Sequence, residues 1–215
     1  PHQHRDFIVD IELHQNDLPD GIDLGDVIAV DTETMGLNSL RDRLCLVQLS
    51  AGDGVAHLVQ FPANGGDAYD APNLKALLAD RNRLKLYHFA RFDLAAISQY
   101  LGVDASPVYC TRTASRLVRT YTDRHGLKDL CRELLGVEIS KQQQSSDWGA
   151  DDLSREQLEY AANDVFFLHE LKIRLDAMLE RHDRVHLAQS CFDFLPARAA
   201  LDLAGWPEID VLAHN

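Results

Sequence analysis

Five side chains stand out as potential reagents: Asp31 and Glu33 in VIAVDTETMGL, Asp93 in LKLYHFARFDL, and Tyr160 and Asp164 in LEYAANDVFFLHEL. Four of them are carboxylates, and hard divalent cations such as Mg²⁺ and Mn²⁺ prefer carboxylate oxygen and water. Two such cations about 3.5–4 Å apart stabilise the attacking and leaving oxygens of a phosphodiester. An acid pair by itself says little, because 34 acids among 215 residues give about five acid-x-acid pairs by chance. The elements that carry the acids have to decide which are special.

Val27 to Val30 is continuously apolar, the mark of a strand covered on both faces, and Asp31 and Glu33 follow at its end. Residues two apart on a strand share a face at a spacing of about 6.6 Å, so both carboxylates point the same way. Buried charge is costly unless compensated, and a divalent cation would offset the repulsion. Asp10 and Glu12 repeat the Asp-x-Glu pattern but alternate with Val9, Ile11 and Leu13, which assigns them to the solvated face of an amphipathic strand.

Ser154 and Gln157 form a capping box, with Leu153 and Leu158 as the hydrophobic staple, so a helix is expected from about Arg155 to 181. Leu158, Ala161, Val165, Leu168, Leu175 and Leu179 make its buried stripe, and Tyr160 and Asp164 lie on the flank one turn apart. Tyr100 and Asp104 have the same spacing, but Gly102 ends that helix between them. Asp93 is expected in the first turn of a helix that follows a strand reaching Tyr87 or His88. An acid there is also favoured simply by the helix dipole.

Further strands are expected at 9–13, 44–49, 55–59 and 84–87, and helices at 73–79, 92–101, 111–120, 127–135 and over the last 30 or so residues. ANGGDAYDAPN, 63–73, reads as a loop, and no repeat or linker divides the chain. The expectation is one α/β domain with a mixed central sheet flanked by helices.

The composition, 46% hydrophobic and 26% charged, is that of an ordinary globular chain without a membrane-length apolar run. PHQHRDF lacks the basic-then-apolar order of a signal peptide, so a cytoplasmic location is expected. Cys45, Cys110, Cys131 and Cys191 are far apart, without zinc-ligand spacing, and are expected to be reduced core thiols. A net charge of −13 excludes gripping long nucleic acid over the whole surface, so any such contact must be local or bridged by cations.

At DTET, HFARFDL and YAAND the chain resembles the ribonuclease D-type branch of the DEDD 3′→5′ exonucleases. Tyr160, four before Asp164, places it in the tyrosine subgroup; the histidine subgroup would carry His where Glu159 stands. RDRLCLVQLS, RTYTDRHGLKDLC, SKQQQSSDW and CFDFLPARAALDLAGW extend the likeness over nearly the whole chain, toward the short nanoRNase members. The resemblance implies a ribonuclease H-like (DnaQ/ribonuclease D-type) exonuclease fold over 1–215, without an additional C-terminal helical nucleic-acid-binding domain. It also implies two divalent cations, Mg²⁺ or Mn²⁺. Asp31, Glu33 and Asp164 would hold one, Asp31 would reach the second with support from Asp93 partly through water, and Tyr160 would orient the attacking water. The implied reaction is hydrolysis from the 3′ end to 5′-mononucleotides, on very short RNAs including dinucleotides and also on DNA. A homo-oligomeric ring of eight subunits is implied as well. General RNA processing of the ribonuclease D kind, without a short-substrate preference, is the alternative within the family.

Candidate substrate contacts are Thr32 between the two acids, Leu37 after Gly36 as a wedge against a base, and His88 at a strand end. Arg112, Arg116 and Arg119 share one helix face, and with Arg124, His125 and Lys128 make 112–128 the best candidate for a basic patch. A solvated face or a subunit contact accounts for the arginines equally well. Lys141 and the glutamines of SKQQQSSDW could touch phosphates, whereas Trp148 is expected to pack. Two readings from other classes account for part of the pattern. One is a haloacid-dehalogenase-type phosphatase with Asp31 as nucleophile, which leaves Tyr160 unexplained. The other is an inactive nuclease fold kept for binding, which gives clustered acids no use.

Overall fold

The computed structural model describes residues 10–63 and 69–214. The readings of PHQHRDF and Val9, and of the middle of the 63–73 loop, lie outside the described residues. Six strands form one sheet in the order β1-β4-β3-β2-β5-β6. They are β1 (Asp10–Gln15), β2 (Val27–Thr34), β3 (Leu44–Ser50), β4 (Val55–Gln60), β5 (Leu84–Tyr87) and β6 (Val108–Cys110).

The sheet is mixed for a reason visible in the connections. Direct turns join β2 to β3 and β3 to β4, and both pairs are antiparallel. Helical crossovers, α1 (Pro72–Ala79) and α2 (Ala90–Leu101), separate β4, β5 and β6, and β5 runs parallel to β2 and β6. This is the α/β arrangement the sequence predicts. Every residue of β3 is buried, which fits its place in the middle of the sheet. The remaining helices are α3 (Thr111–Val118), α4 (Leu127–Leu130), which runs into a π-helical turn at Cys131–Leu135, α5 (Arg155–Phe166), α6 (Leu168–Arg181) and α7 (Val185–Ala204).

Four local expectations change. β2 continues through Thr34, so Asp31 and Glu33 lie within the strand: pairing of Asp31 with Gln48 and Glu33 with Leu46 carries the ladder past the apolar run. The 155–181 helix is two helices meeting at Phe167, a break that an unbroken buried stripe conceals. β6 is a three-residue strand, too short to show a period. Of the four cysteines, three are buried, but Cys191 is exposed on α7. Among the described residues no helix is long and apolar enough to cross a membrane.

Candidate active site

Asp31 and Glu33 project from the face of β2 that also carries Gln48 of β3, whose Nε2 donates to Asp31 Oδ2 at 3.0 Å. On the opposite side of the strand Thr32, 5% exposed, donates its hydroxyl to Asp93 Oδ1 at 2.6 Å. That bond fixes Asp93 in the first turn of α2, a helix entered through Phe89 at φ 69°. The third carboxylate-bearing element is α5. Its start is locked by the predicted capping box: Ser154 Oγ accepts from Gln157 N at 3.1 Å, and Gln157 Oε1 accepts from Ser154 N at 2.9 Å. Gln157 also donates to Ser146 Oγ and Asp147 O at 3.0 Å, which ties the preceding loop to the helix. Ala161 and Val165 of α5 are buried, and Tyr160 and Asp164 face the acids of β2.

The result is a carboxylate oxygen from each of Asp31, Glu33 and Asp164 within 4.8 Å of one another. Asp93 stands outside that group of three, yet close enough for repulsion from Asp31 to raise its own proton affinity. Burial pushes Asp31 up to about 7. It also holds Glu33, Asp93 and Asp164 well above the usual carboxylate range, and repulsion from Asp31 adds to each. Without a cation, burial and mutual repulsion oppose ionisation of these groups together. A hard divalent ion fits the donor set, since it takes oxygen ligands and removes the penalty that burial imposes. Tyr160 is held above its ordinary value by burial and by the charge of Asp164, so its phenol stays protonated and can donate. Its ring lies 5.9 Å from that of Trp148, which is 3% exposed and packed as the sequence predicts.

These groups open onto a cleft of about 680 Å³. Asp31, Glu33, Asp93, Tyr160 and Asp164 all line it, together with Thr32, Leu37, His88, Arg112 and Lys141. Leu37 is 89% exposed at the end of a loop in which a side chain on Gly36 would collide with the Asp42 carboxylate. Arg112 stacks over the Phe89 ring at 5.4 Å. His88 is driven down to about 3 by burial, reinforced by Arg112 and Lys141. Thr111 Oγ1 donates to Tyr87 O, so His88 Nδ1 donates to Thr111 Oγ1 at 2.9 Å and Nε2 remains a free acceptor.

The structure divides the expected basic patch. Arg116 is exposed and His125, bonded to Ser115 Oγ at 2.8 Å, is buried, and neither lines the cleft. Arg119 is fully buried, paired with Glu133 and donating to Arg124 O at 2.7 Å, so it braces the 119–133 segment and shares no open face with Arg112. Lys128 does line the cleft. Gln48, Thr111, Phe89 and Phe92 were not singled out from sequence. Gln48 had a readable signal, a polar residue inside the otherwise apolar LCLVQLS, whereas Phe89 and Phe92 look like any core aromatics.

Residues 6–180 match the profile of the 3′-5′ exonuclease family. Ribonuclease D of Acidiphilium cryptum is 35% identical over 158 residues, 74% of this chain and 39% of that protein. The chain thus spans about two fifths of the length of that relative. Among solved structures, Brucella melitensis NrnC bound to pGG is 54% identical, with a TM-score of 0.92 over 96% of this chain and 100% of that one. The same protein with bound Mg²⁺ is 53% identical at a TM-score of 0.90, over 96% and 100% of the two chains. Escherichia coli RNase D, at 25% identity, superimposes with a TM-score of 0.70 over 81% of this chain and 45% of that one. Fold, acid cluster and family profile agree, and the chain belongs to the 3′-5′ exonuclease family of the ribonuclease D and NrnC type, with its ribonuclease H-like fold.

Proposed function

We propose that this protein is a divalent-metal-dependent 3′→5′ exoribonuclease that hydrolyses short oligoribonucleotides, dinucleotides included, to 5′-mononucleotides, with DNA as a second substrate. The observation that carries the reading is the convergence of Asp31, Glu33 and Asp164 oxygens within 4.8 Å, on a cleft that also holds Tyr160. Asp31, Glu33 and Asp164 would hold one cation, Mg²⁺ or Mn²⁺, and Asp31 with Asp93 the second. When bound, the cations supply Lewis acidity and neutralise charge at the attacking and leaving oxygens. The Tyr160 phenol, protonated and one turn from Asp164, donates a hydrogen bond that orients the attacking water. Thr32 holds Asp93, and Gln48 holds Asp31, in the orientation a ligand needs. Arg112 and Lys141 bring positive charge to a protein of net charge −13, so phosphate attraction is local to the cleft. Leu37, exposed at the cleft, offers an apolar edge to a terminal base. The pGG in the Brucella protein supports a short RNA occupant for a cleft of about 680 Å³. Assembly as a homo-oligomeric ring in the cytoplasm is part of the same proposal.

The test is a time course on 5′-labelled RNAs from two to about twenty nucleotides, with Mg²⁺, Mn²⁺ or EDTA, beside the Asp31→Ala protein. Metal-dependent loss of 3′ nucleotides, fastest on the dinucleotide and absent in Asp31→Ala, is expected. Equal rates at all lengths would replace the short-substrate reading by general ribonuclease D-like processing. Unimpaired cleavage by Asp31→Ala would overturn the site assignment.

A further inference from the structure

The far edge of the sheet carries a second cluster of potential ligands. β1 pairs in parallel with β4, with Glu12 opposite His57 and His14 two residues further along the same face. Cross-strand partners share a face and neighbours alternate, so the chain of pairs Asp31–Gln48 and Gln48–Leu58 puts His57 on the face opposite the candidate active site. His14 Nε2 and His57 Nδ1 are 3.2 Å apart, Glu12 Oε2 is 3.4 Å from His57 Nδ1, and Glu12 Oε2 is 3.8 Å from His14 Nε2. A hydrogen bond accounts for the His14–His57 edge of this triangle but not for the two edges to Glu12. One proton can lie between the two imidazoles, and both distances to the carboxylate exceed the usual 2.7–3.2 Å range. Three potential ligand atoms therefore lie within 4.8 Å of one another.

We propose that Glu12, His14 and His57 form a site for one borderline transition-metal ion, with Zn²⁺ as its natural probe. A tetrahedral zinc ion with ligand bonds of 2.0–2.2 Å sets its ligand atoms about 3.3–3.6 Å apart, and the observed edges of 3.2, 3.4 and 3.8 Å bracket that range. The two rings lie 5.5 Å apart between centroids with their planes within 11° of parallel and the two nitrogens facing each other, so an ion entering between them displaces the imidazole–imidazole contact and turns both rings toward itself. Glu12 is 57% exposed on its side chain while His57 is 9% exposed, which gives the ion an open entry and a fixed floor. Water completes the shell. Imidazole ligands select zinc-like ions over Mg²⁺ and Mn²⁺, so the site is chemically separate from the all-carboxylate cluster. Bound there, the ion joins edge strand β1 to β4 through side chains as well as through the ladder.

The experiment is Zn²⁺ binding to the full chain in excess Mg²⁺, followed by competition with a chromophoric chelator and by the visible absorption of Co²⁺ as a tetrahedral reporter. One Zn²⁺ per chain should remain bound against Mg²⁺, and the thermal midpoint should rise with Zn²⁺. His14→Gln and His57→Gln should each weaken binding at least tenfold and abolish the tetrahedral Co²⁺ spectrum. The Asp31→Asn, Asp164→Asn double variant should keep both. Zn²⁺ affinity unchanged in the histidine variants, loss of the ion in the double aspartate variant, or displacement by Mg²⁺ would each overturn the proposal. Should His57→Gln fold poorly, His14→Gln, at a partly exposed ring, decides alone.

Discussion

Replacing Asp31 by Asn should make the metal-free protein more stable and the enzyme inactive. The Asp31 carboxyl is raised from 3.8 to about 7, chiefly by burial. A rise of about three pH units at about 1.36 kcal/mol each amounts to about 4 kcal/mol, shared among coupled carboxyls. In the folded chain the group keeps its proton up to about 7, whereas in the unfolded chain it loses it near 3.8. Between those values the folded state binds more protons, so the stability this group contributes is complete below about 4 and lost as pH rises through about 7. The asparagine that replaces it carries no charge at any pH, and its amide oxygen can still accept from Gln48. In EDTA at pH 8 the variant should therefore melt higher than the parent by on the order of 10 °C, with the difference vanishing toward pH 4. Mg²⁺ should raise the parent's midpoint and leave the variant's almost unchanged. Thermal denaturation followed by circular dichroism at pH 4, 6 and 8, with EDTA or Mg²⁺, reads all of this. A variant less stable than the parent at pH 8 without metal would refute the view that the acids form a strained, cation-dependent cluster.

Other perturbations separate the parts of the site. Tyr160→Phe removes the donor but keeps the ring against Trp148, so kcat should fall about 10- to 100-fold with KM within about twofold, measured on a dinucleotide. Thr32→Val removes the 2.6 Å bond to Asp93 and should weaken Mg²⁺ activation about 10- to 100-fold in a metal titration of activity. Arg112→Ala and Lys141→Ala should raise KM about tenfold each and flatten its dependence on salt, with kcat nearly unchanged. Ser154→Ala breaks the capping box at the start of α5 and should cost about 1 kcal/mol in urea denaturation, whereas Ser154→Asp should retain most of it.

Local chain chemistry is enough to specify most elements and the reactive groups they carry. An apolar run ending in Asp31 and Glu33, the Ser154 and Gln157 box, and the Tyr160 to Asp164 spacing are all short-range patterns. Strand alternation and helix capping translate them directly into geometry. The exposed placement of Asp10 and Glu12 was legible for the same reason, and it shows how flanking residues separate two identical Asp-x-Glu pairs.

The remainder depends on pairing between distant segments. Register with β3 extends β2 past its apolar stretch and brings Gln48 to Asp31, a contact 17 residues apart in the chain. Thr32 reaches Asp93 across 61 residues, and no local rule specifies that bond. The arginine face dissolved in the fold: Arg119 is buried by Glu133 and Arg124, which helical spacing around Arg112 and Arg116 does not encode. The Glu12, His14 and His57 triangle was likewise invisible, because it exists only when β1 lies parallel to β4 with Glu12 opposite His57. Side-chain types and short spacings follow from the order of residues alone. Which of them meet is set by sheet register, since a shift of one residue turns every side chain of a strand to the other face.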